Sequence, residues 1–169
     1  MSPLSAAALV AAALAGCVTT PPAPKPIEVK VVRGDADVAR CFPVIAVLRP
    51  HLVEQEFVAR VRRMEKESGF TLIYVEDAGE VVAVSGFRVS DYLYSGKTLY
   101  VDDLVALESH RGKGFAEALM VWMEATARRE GCQTFSLDSG TQRLPAHRFY
   151  HRLKMGISAF HFQKLLSRD

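Results

Sequence analysis

The stretch Leu104-Val105-Ala106-Leu107-Glu108-Ser109-His110-Arg111-Gly112-Lys113-Gly114-Phe115-Ala116 decides how this 169-residue chain is read. An apolar run ends in a loop holding two glycines, and a helical pattern then begins. Phe115, Leu119, Trp122 and Met123 recur at spacings of three and four, which predicts a helix over 115–129 closed by Gly131. Gly112 and Gly114 carry no Cβ, so the backbone there can turn sharply and approach a ligand closely. The first N–H groups of the helix have no helical partner, and with the helix dipole they favour an anion such as a pyrophosphate. Arg111 and Lys113 add positive charge beside them. The third glycine of GxGxxG is missing, and no Ser or Thr follows the Gly-Lys pair, so neither a dinucleotide fingerprint nor a P-loop is present. Taken alone, the loop serves equally well as a ligand-free turn from strand to helix.

Working outward, the preceding run from Lys97 to about Leu107 reads as a strand. Before it come two more, Phe70 to Glu76 and Glu80 to Val89, joined by the turn Asp77-Ala78-Gly79. A first strand covers Ile27 to Val32. Asp35 is a helix N-cap for a short helix to about Phe42, with Pro43 and Pro50 as punctuation. Leu52 to Ser68 is a second helix ended by Gly69. After the central helix, Thr134 to Leu137 is a strand, Pro145 to Leu153 a short helix, and Ile157 to Gln163 a last strand. Antiparallel strands followed by a βαβ unit predict an α/β (α+β) domain over 27–169, with a mixed, mostly antiparallel sheet and helices on both faces.

Composition excludes several classes. Net charge is +2, with no block of like charge, which argues against a nucleic-acid partner. Hydrophobic residues make up 49%, so the chain can build a core, and no apolar run reaches membrane-spanning length. His147 and His151 lie four apart on a predicted helix. With no Glu between them and no third ligand nearby, they indicate no metal. Cys41 and Cys132 are lone thiols, able to pair only in an oxidising compartment.

Arg111-x-x-Gly114-x-Ala116 resembles the Q/R-x-x-G-x-G/A signature of the Gcn5-related N-acetyltransferase (GNAT) family. Tyr100-Val101-Asp102-Asp103-Leu104-Val105 precedes it as that family's central strand does. Downstream, Asp138-Ser139-Gly140 and Ala146-His147-Arg148-Phe149-Tyr150 resemble the family's last block. The resemblance covers about Ile27 to Lys164; Ala116 replaces the commoner Gly, and Glu108 stands where many members have Pro. It implies the acyl-CoA N-acyltransferase fold and acetyl-CoA as co-substrate, with no metal. Arg111, Gly112, Lys113, Gly114, Phe115 and Ala116 would hold the pyrophosphate. Edge amides near Leu104, Val105 and Ala106 would hold the pantetheine and polarise the thioester.

The same resemblance implies direct attack by an amine acceptor, a small molecule or a protein, with Tyr150 as the acid for the departing thiolate. Asp102 and Asp103 are candidates for the base. As neighbours on a strand they are expected on opposite faces, only one of them toward the acceptor. Asp138 is a similar candidate, and Arg143 could meet acceptor or phosphate. His110 reads as a solvated loop residue. The exposed edges of such a sheet are compatible with a homodimer.

Residues 1–26 read differently. An apolar segment from Ala6 to Ala15 runs into Leu14-Ala15-Gly16-Cys17, which resembles a bacterial lipobox, and then into a proline-rich tether. Met1 to Ser5 contains no Lys or Arg, unlike an ordinary signal peptide. Two readings stand side by side. In one, the chain is anchored at the cell envelope by lipid on Cys17, carrying a non-catalytic acyl-CoA-binding or interaction module. In the other, the start lies too far upstream and a cytoplasmic enzyme results.

Overall fold

The computed structural model describes residues 26–166. Its elements are β1 (Val29–Val31), α1 (Asp35–Leu48), α2 (Glu54–Ser68), β2 (Thr71–Asp77), β3 (Glu80–Tyr92), β4 (Gly96–Ala106), α3 (Phe115–Arg129), β5 (Thr134–Leu137) and α4 (Leu144–Arg152), with a 3₁₀ turn at Glu108–His110 before α3. The sheet order is β1-β2-β3-β4-β5. β1 to β4 pair antiparallel, and β5 joins β4 in parallel through the α3 crossover. The mixed sheet expected from the sequence is present.

Two apolar layers flank it. Val38, Cys41, Val44 and Ile45 of α1 and Phe57 and Val61 of α2 pack on Phe70, Leu72, Tyr74, Val84 and Val105. On the other face Phe115, Leu119, Met120 and Met123 of α3 pack on Ile73, Val75, Val82, Phe87, Leu99 and Val101. Each such side chain, fully buried, contributes about 1.5–3 kcal/mol. Ser85 is also buried, and its hydroxyl donates to the Asp103 carbonyl at 2.7 Å. That bond satisfies a backbone acceptor where β4 is irregular.

Three expectations are corrected. The first helix does not stop at Phe42: α1 continues through Pro43 to Leu48. A proline there removes a helical hydrogen bond and costs about 3 kcal/mol. Burial of Val44 and Ile45, on the stripe begun by Val38 and Cys41, offsets it. The N-cap of this helix is Gly34, and Asp35 stands in the first turn, where its charge suits the dipole. Finally, Ile157–Gln163 forms no strand; the chain from Lys154 to Leu166 has no partner strand to hydrogen-bond with.

Cys41 is buried on the inner side of α1 and Cys132 lies just past α3 on the other face of the sheet, both as free thiols. The signal-like segment, Cys17 and the tether as far as Lys25 lie outside the described residues.

Candidate active site

β4 and β5 pair only from Thr98↔Thr134 to Val101↔Leu137. Beyond Val101 the register against β3 shifts, pairing Gly86 with Asp103 and Phe87 with Val101, so Asp102 is an extra residue. Such a bulge bends its strand and breaks the alternation of faces. Leu99 and Val101 face α3, and so do Leu104 and Ala106, whereas Val105 faces α1 and α2. Asp102 and Asp103 therefore both lie on the α1/α2 face, not on opposite faces as the sequence predicted. Past the bulge, Asp103 to Ala106 present a strand edge that β5 does not cover.

Each carboxylate meets a guanidinium. Arg49, the C-cap of α1, donates from Nε to Asp103 Oδ1 at 2.7 Å and from Nη2 to the Asp102 carbonyl at 3.2 Å. Arg88 donates to both oxygens of Asp102, Nε to Oδ2 at 3.0 Å and Nη2 to Oδ1. The hydrogen bond that Arg88 donates to Asp102 is the main reason the Arg88 pKa is raised. Just past the end of β5, Asp138 Oδ2 accepts from the Tyr100 hydroxyl at 2.8 Å, and the His161 ring lies 2.8 Å from the same oxygen. Burial first, and then the bond to Asp138, pushes the Tyr100 hydroxyl far above the usual phenol range. Beside Asp103 a cavity of about 170 Å³ opens between α1, α2 and β2, lined by Arg49, Leu52, Phe57, Arg60 and Phe70 among others.

The glycine loop follows directly from the bulged strand. Gly112 (φ 76°) and Gly114 (φ 87°) both adopt left-handed backbone, which a Cβ would strain. Gly114 is the N-cap of α3, and the first helical bond is Ala118 N–H to the Gly114 carbonyl at 2.9 Å. The amides of Phe115, Ala116 and Glu117 are thus left without a helical acceptor. Arg111 and Lys113 are exposed beside them, and open space lies off Gly112. The loop fits a phosphate-bearing ligand. His110 is not simply solvated: its ring packs against Phe115, centroids 5.9 Å apart, and Nε2 lies 3.6 Å from Asp77.

α4 brings Tyr150 to the α3-side cluster, its ring 5.5 Å from Phe149. Burial raises the Tyr150 pKa, and the nearby charge of Arg143 works against that rise. His147 and His151 are spent on backbone carbonyls, of Gly140 at 3.0 Å and Met155 at 3.1 Å. At the end of β5 the Ser139 hydroxyl is buried and lacks a partner among the described residues. An unmet buried hydroxyl costs about 1–3 kcal/mol, which a ligand acceptor would recover. Nothing in the sequence marks Arg49 or Arg88, and Tyr100 and Ser139 stand in the quoted motifs without a role. Their partners lie far along the chain, and no local spacing signals them.

The sequence matches the acetyltransferase (GNAT) family over residues 37–156. The uncharacterized N-acetyltransferase YhdJ of Bacillus subtilis (strain 168) is 29% identical over 140 residues, which is 82% of this chain and 98% of that protein. Among solved structures, a transcriptional regulator from Bacillus halodurans C-125 aligns with a TM-score of 0.74 and 20% identity, over 83% of this chain and 100% of its own. A Trypanosoma brucei acetyltransferase aligns with a TM-score of 0.64 and 23% identity, over 85% of this chain and 100% of its own. At these identities the structural likeness shows a shared fold.

Proposed function

The chain belongs to the acetyltransferase (GNAT) family, and from that premise we propose that it transfers the acetyl group of acetyl-CoA to an amine by direct attack. The observation that carries this reading is one continuous run of backbone, from the uncovered edge of β4 through the glycine loop to the unpaired amides of α3. Its two ends suit the two parts of one ligand. The α3 amides with Arg111 and Lys113 hold a pyrophosphate, and the edge at Leu104 to Ala106 holds an extended pantetheine. A donor from that edge would stabilise the oxyanion formed when the thioester carbonyl is attacked.

The protein's remaining tasks are positioning and proton transfer. The acceptor ammonium gives one proton to a carboxylate, its amine nitrogen bonds to the acetyl carbon as the carbon–sulfur bond breaks, and the nitrogen's surplus proton passes to solvent. Tyr150, kept protonated by burial, gives its proton to the thiolate. Asp103 is the better placed of the two carboxylates for the incoming ammonium. Only its Oδ1 is committed to Arg49, whereas Arg88 takes both oxygens of Asp102. Arg143 tunes Tyr150, and the Ser139 hydroxyl is an added donor at the cleft.

Calorimetric titration of the protein with acetyl-CoA tests the reading. Wild type should bind, and Gly114→Asp, which sets a negative charge in the loop, should lose binding while keeping its circular dichroism spectrum. A folded wild type that ignores acetyl-CoA would sink the enzyme reading. The Leu14–Cys17 segment supports a second one, a lipid-anchored acyl-CoA-binding module. Mass spectrometry of the mature N-terminus decides it: diacylglycerol on Cys17 establishes the anchor, and an unlipidated chain starting beyond Cys17 removes it.

A further inference from the structure

Asp103 borders a cavity whose lining says what kind of amine it can hold. The space of about 170 Å³ is walled by Leu52, Phe57, Val61, Met64, Phe70 and Leu72 among others. Phe57, Val61, Phe70 and Leu72 are buried, so the apolar wall is part of the packed core and keeps its shape. An apolar cavity of roughly 150 Å³ takes up benzene, so this one has room for a side chain the size of Leu, Met or Phe.

The polar lining is short: Arg49, Arg60 and Asp103, with an exposed His51. Arg49 is spent on β4, its Nε on Asp103 Oδ1 at 2.7 Å and its Nη2 on the Asp102 carbonyl at 3.2 Å. That leaves Asp103 Oδ2 for an ammonium. Arg60 is the cation left over. Its carboxylate partner among the described residues is Glu56, 3.7 Å away and 65% exposed. A solvated pair at that distance holds a guanidinium weakly, so Arg60 is open to a better anion.

Two arginines against one carboxylate make the cavity favour an amine that brings its own negative charge. A polyamine would meet the surplus cation, and a neutral-bodied amine would leave it unmatched. Resting on the acetyl-transfer reading above, we propose that the acceptor is an apolar α-amino acid. Its ammonium meets Asp103, its carboxylate meets Arg60, and its side chain fills the space against Phe57, Phe70 and Leu72. The products are the N-acetyl amino acid, CoA thiol and one proton released to solvent. The apolar wall sets the side chain accepted, and Arg60 separates a free amino acid from the amino terminus of a peptide, which has no carboxylate on that carbon.

Two measurements on the full chain test this: acetyl-CoA binding by calorimetry, and release of CoA thiol with L-leucine, L-leucinamide, glycine or putrescine as acceptor. Wild type should bind acetyl-CoA. Its kcat/KM for L-leucine should exceed those for the other three by roughly tenfold or more, since leucinamide lacks the carboxylate, glycine the apolar side chain and putrescine both. Arg60→Glu alters one partly exposed side chain. It should bind acetyl-CoA as wild type does and lose the preference for L-leucine over L-leucinamide. Acetyl-CoA binding by a wild type that uses leucinamide, glycine or putrescine as well as leucine, or uses none of the four, overturns the amino-acid acceptor and leaves acetyl transfer standing. A preference for leucine that persists in Arg60→Glu overturns the site. A folded wild type that binds no acetyl-CoA removes the acetyl-transfer reading, and this acceptor with it.

Discussion

Arg49 joins the end of α1 to the bulge of β4, its Nε donating to Asp103 Oδ1 at 2.7 Å and its Nη2 to the Asp102 carbonyl. The C-cap of a helix that runs through a proline thus anchors the first residue of the uncovered edge. Both bonds lie on the face toward which the bulge turns the two carboxylates.

Asp103→Asn should weaken the acceptor more than the donor. Hydrogen bonds to charged groups contribute about 1.5–3 kcal/mol, so acceptor KM should rise roughly ten- to a hundredfold. Acetyl-CoA affinity should hold. Asp102→Asn should do less, because both Asp102 oxygens already serve Arg88. Steady-state kinetics of the two variants with one acceptor would check this, and equal effects would contradict the assignment to Asp103.

Tyr150→Phe should lower kcat by about a hundredfold or more, the usual contribution of a positioned acid, with unchanged acetyl-CoA binding. The sign of the pH dependence follows from burial. The protonated phenol is the working form, and its pKa is raised above the ordinary value of 10.0. Activity should therefore hold up to that value and fall only above it, and the Phe variant should lack this limb. Arg143→Ala removes the opposing charge and should move the limb higher still. A limb that persists in Tyr150→Phe would belong to another group.

Gly86→Ala should destabilise the fold. A Cβ at this position would sit 2.3 Å from Phe70 Cζ and 2.5 Å from Cε2. Gly86 pairs with Asp103, so the ring lies over the strand just where the bulge begins. Overpacking of this kind costs about 1–3 kcal/mol. Thermal unfolding should show a lower Tm, partly restored by Phe70→Leu in the same chain; an unchanged Tm would mean the ring moves freely.

Glu76 should contribute to stability at neutral pH and not in acid. Its carboxylate accepts from Lys30 and Arg40, and the Lys30 bond is the main reason its pKa is lowered from 4.5. A group whose folded pKa is depressed stabilises above its unfolded value and ceases to do so as pH falls through the folded one. Urea midpoints of wild type and Glu76→Gln should differ at neutral pH and converge below pH 4.5. A gap that stays constant into acid would assign the effect to packing.

Residues close in the chain were the legible ones. Gly112 and Gly114 declare the left-handed turn, and the spacing of Phe115, Leu119 and Met123 declares α3 with the bounds it has, 115–129. Those readings rest on backbone freedom and helical period, which neighbours in sequence set. Pro43 misled for the same reason: its local preference is to end a helix, and only the layer beneath Val44 and Ile45 overrides it.

What the sequence by itself determined is the order of elements as far as α4, the family and the loop that suits a phosphate. Tertiary structure decided the rest of the site. The face taken by Asp102 and Asp103 depends on the register of β4 against β3, set with Gly86 beneath Phe70. Tyr100, which pairs with Ser136, reaches Asp138 just past the end of β5, 38 residues away in the chain. The segment Ile157–Gln163 reads as a strand from its residues alone, yet it joins no sheet. A strand is completed by hydrogen bonds to a neighbour, and no pattern within a segment says where that neighbour lies.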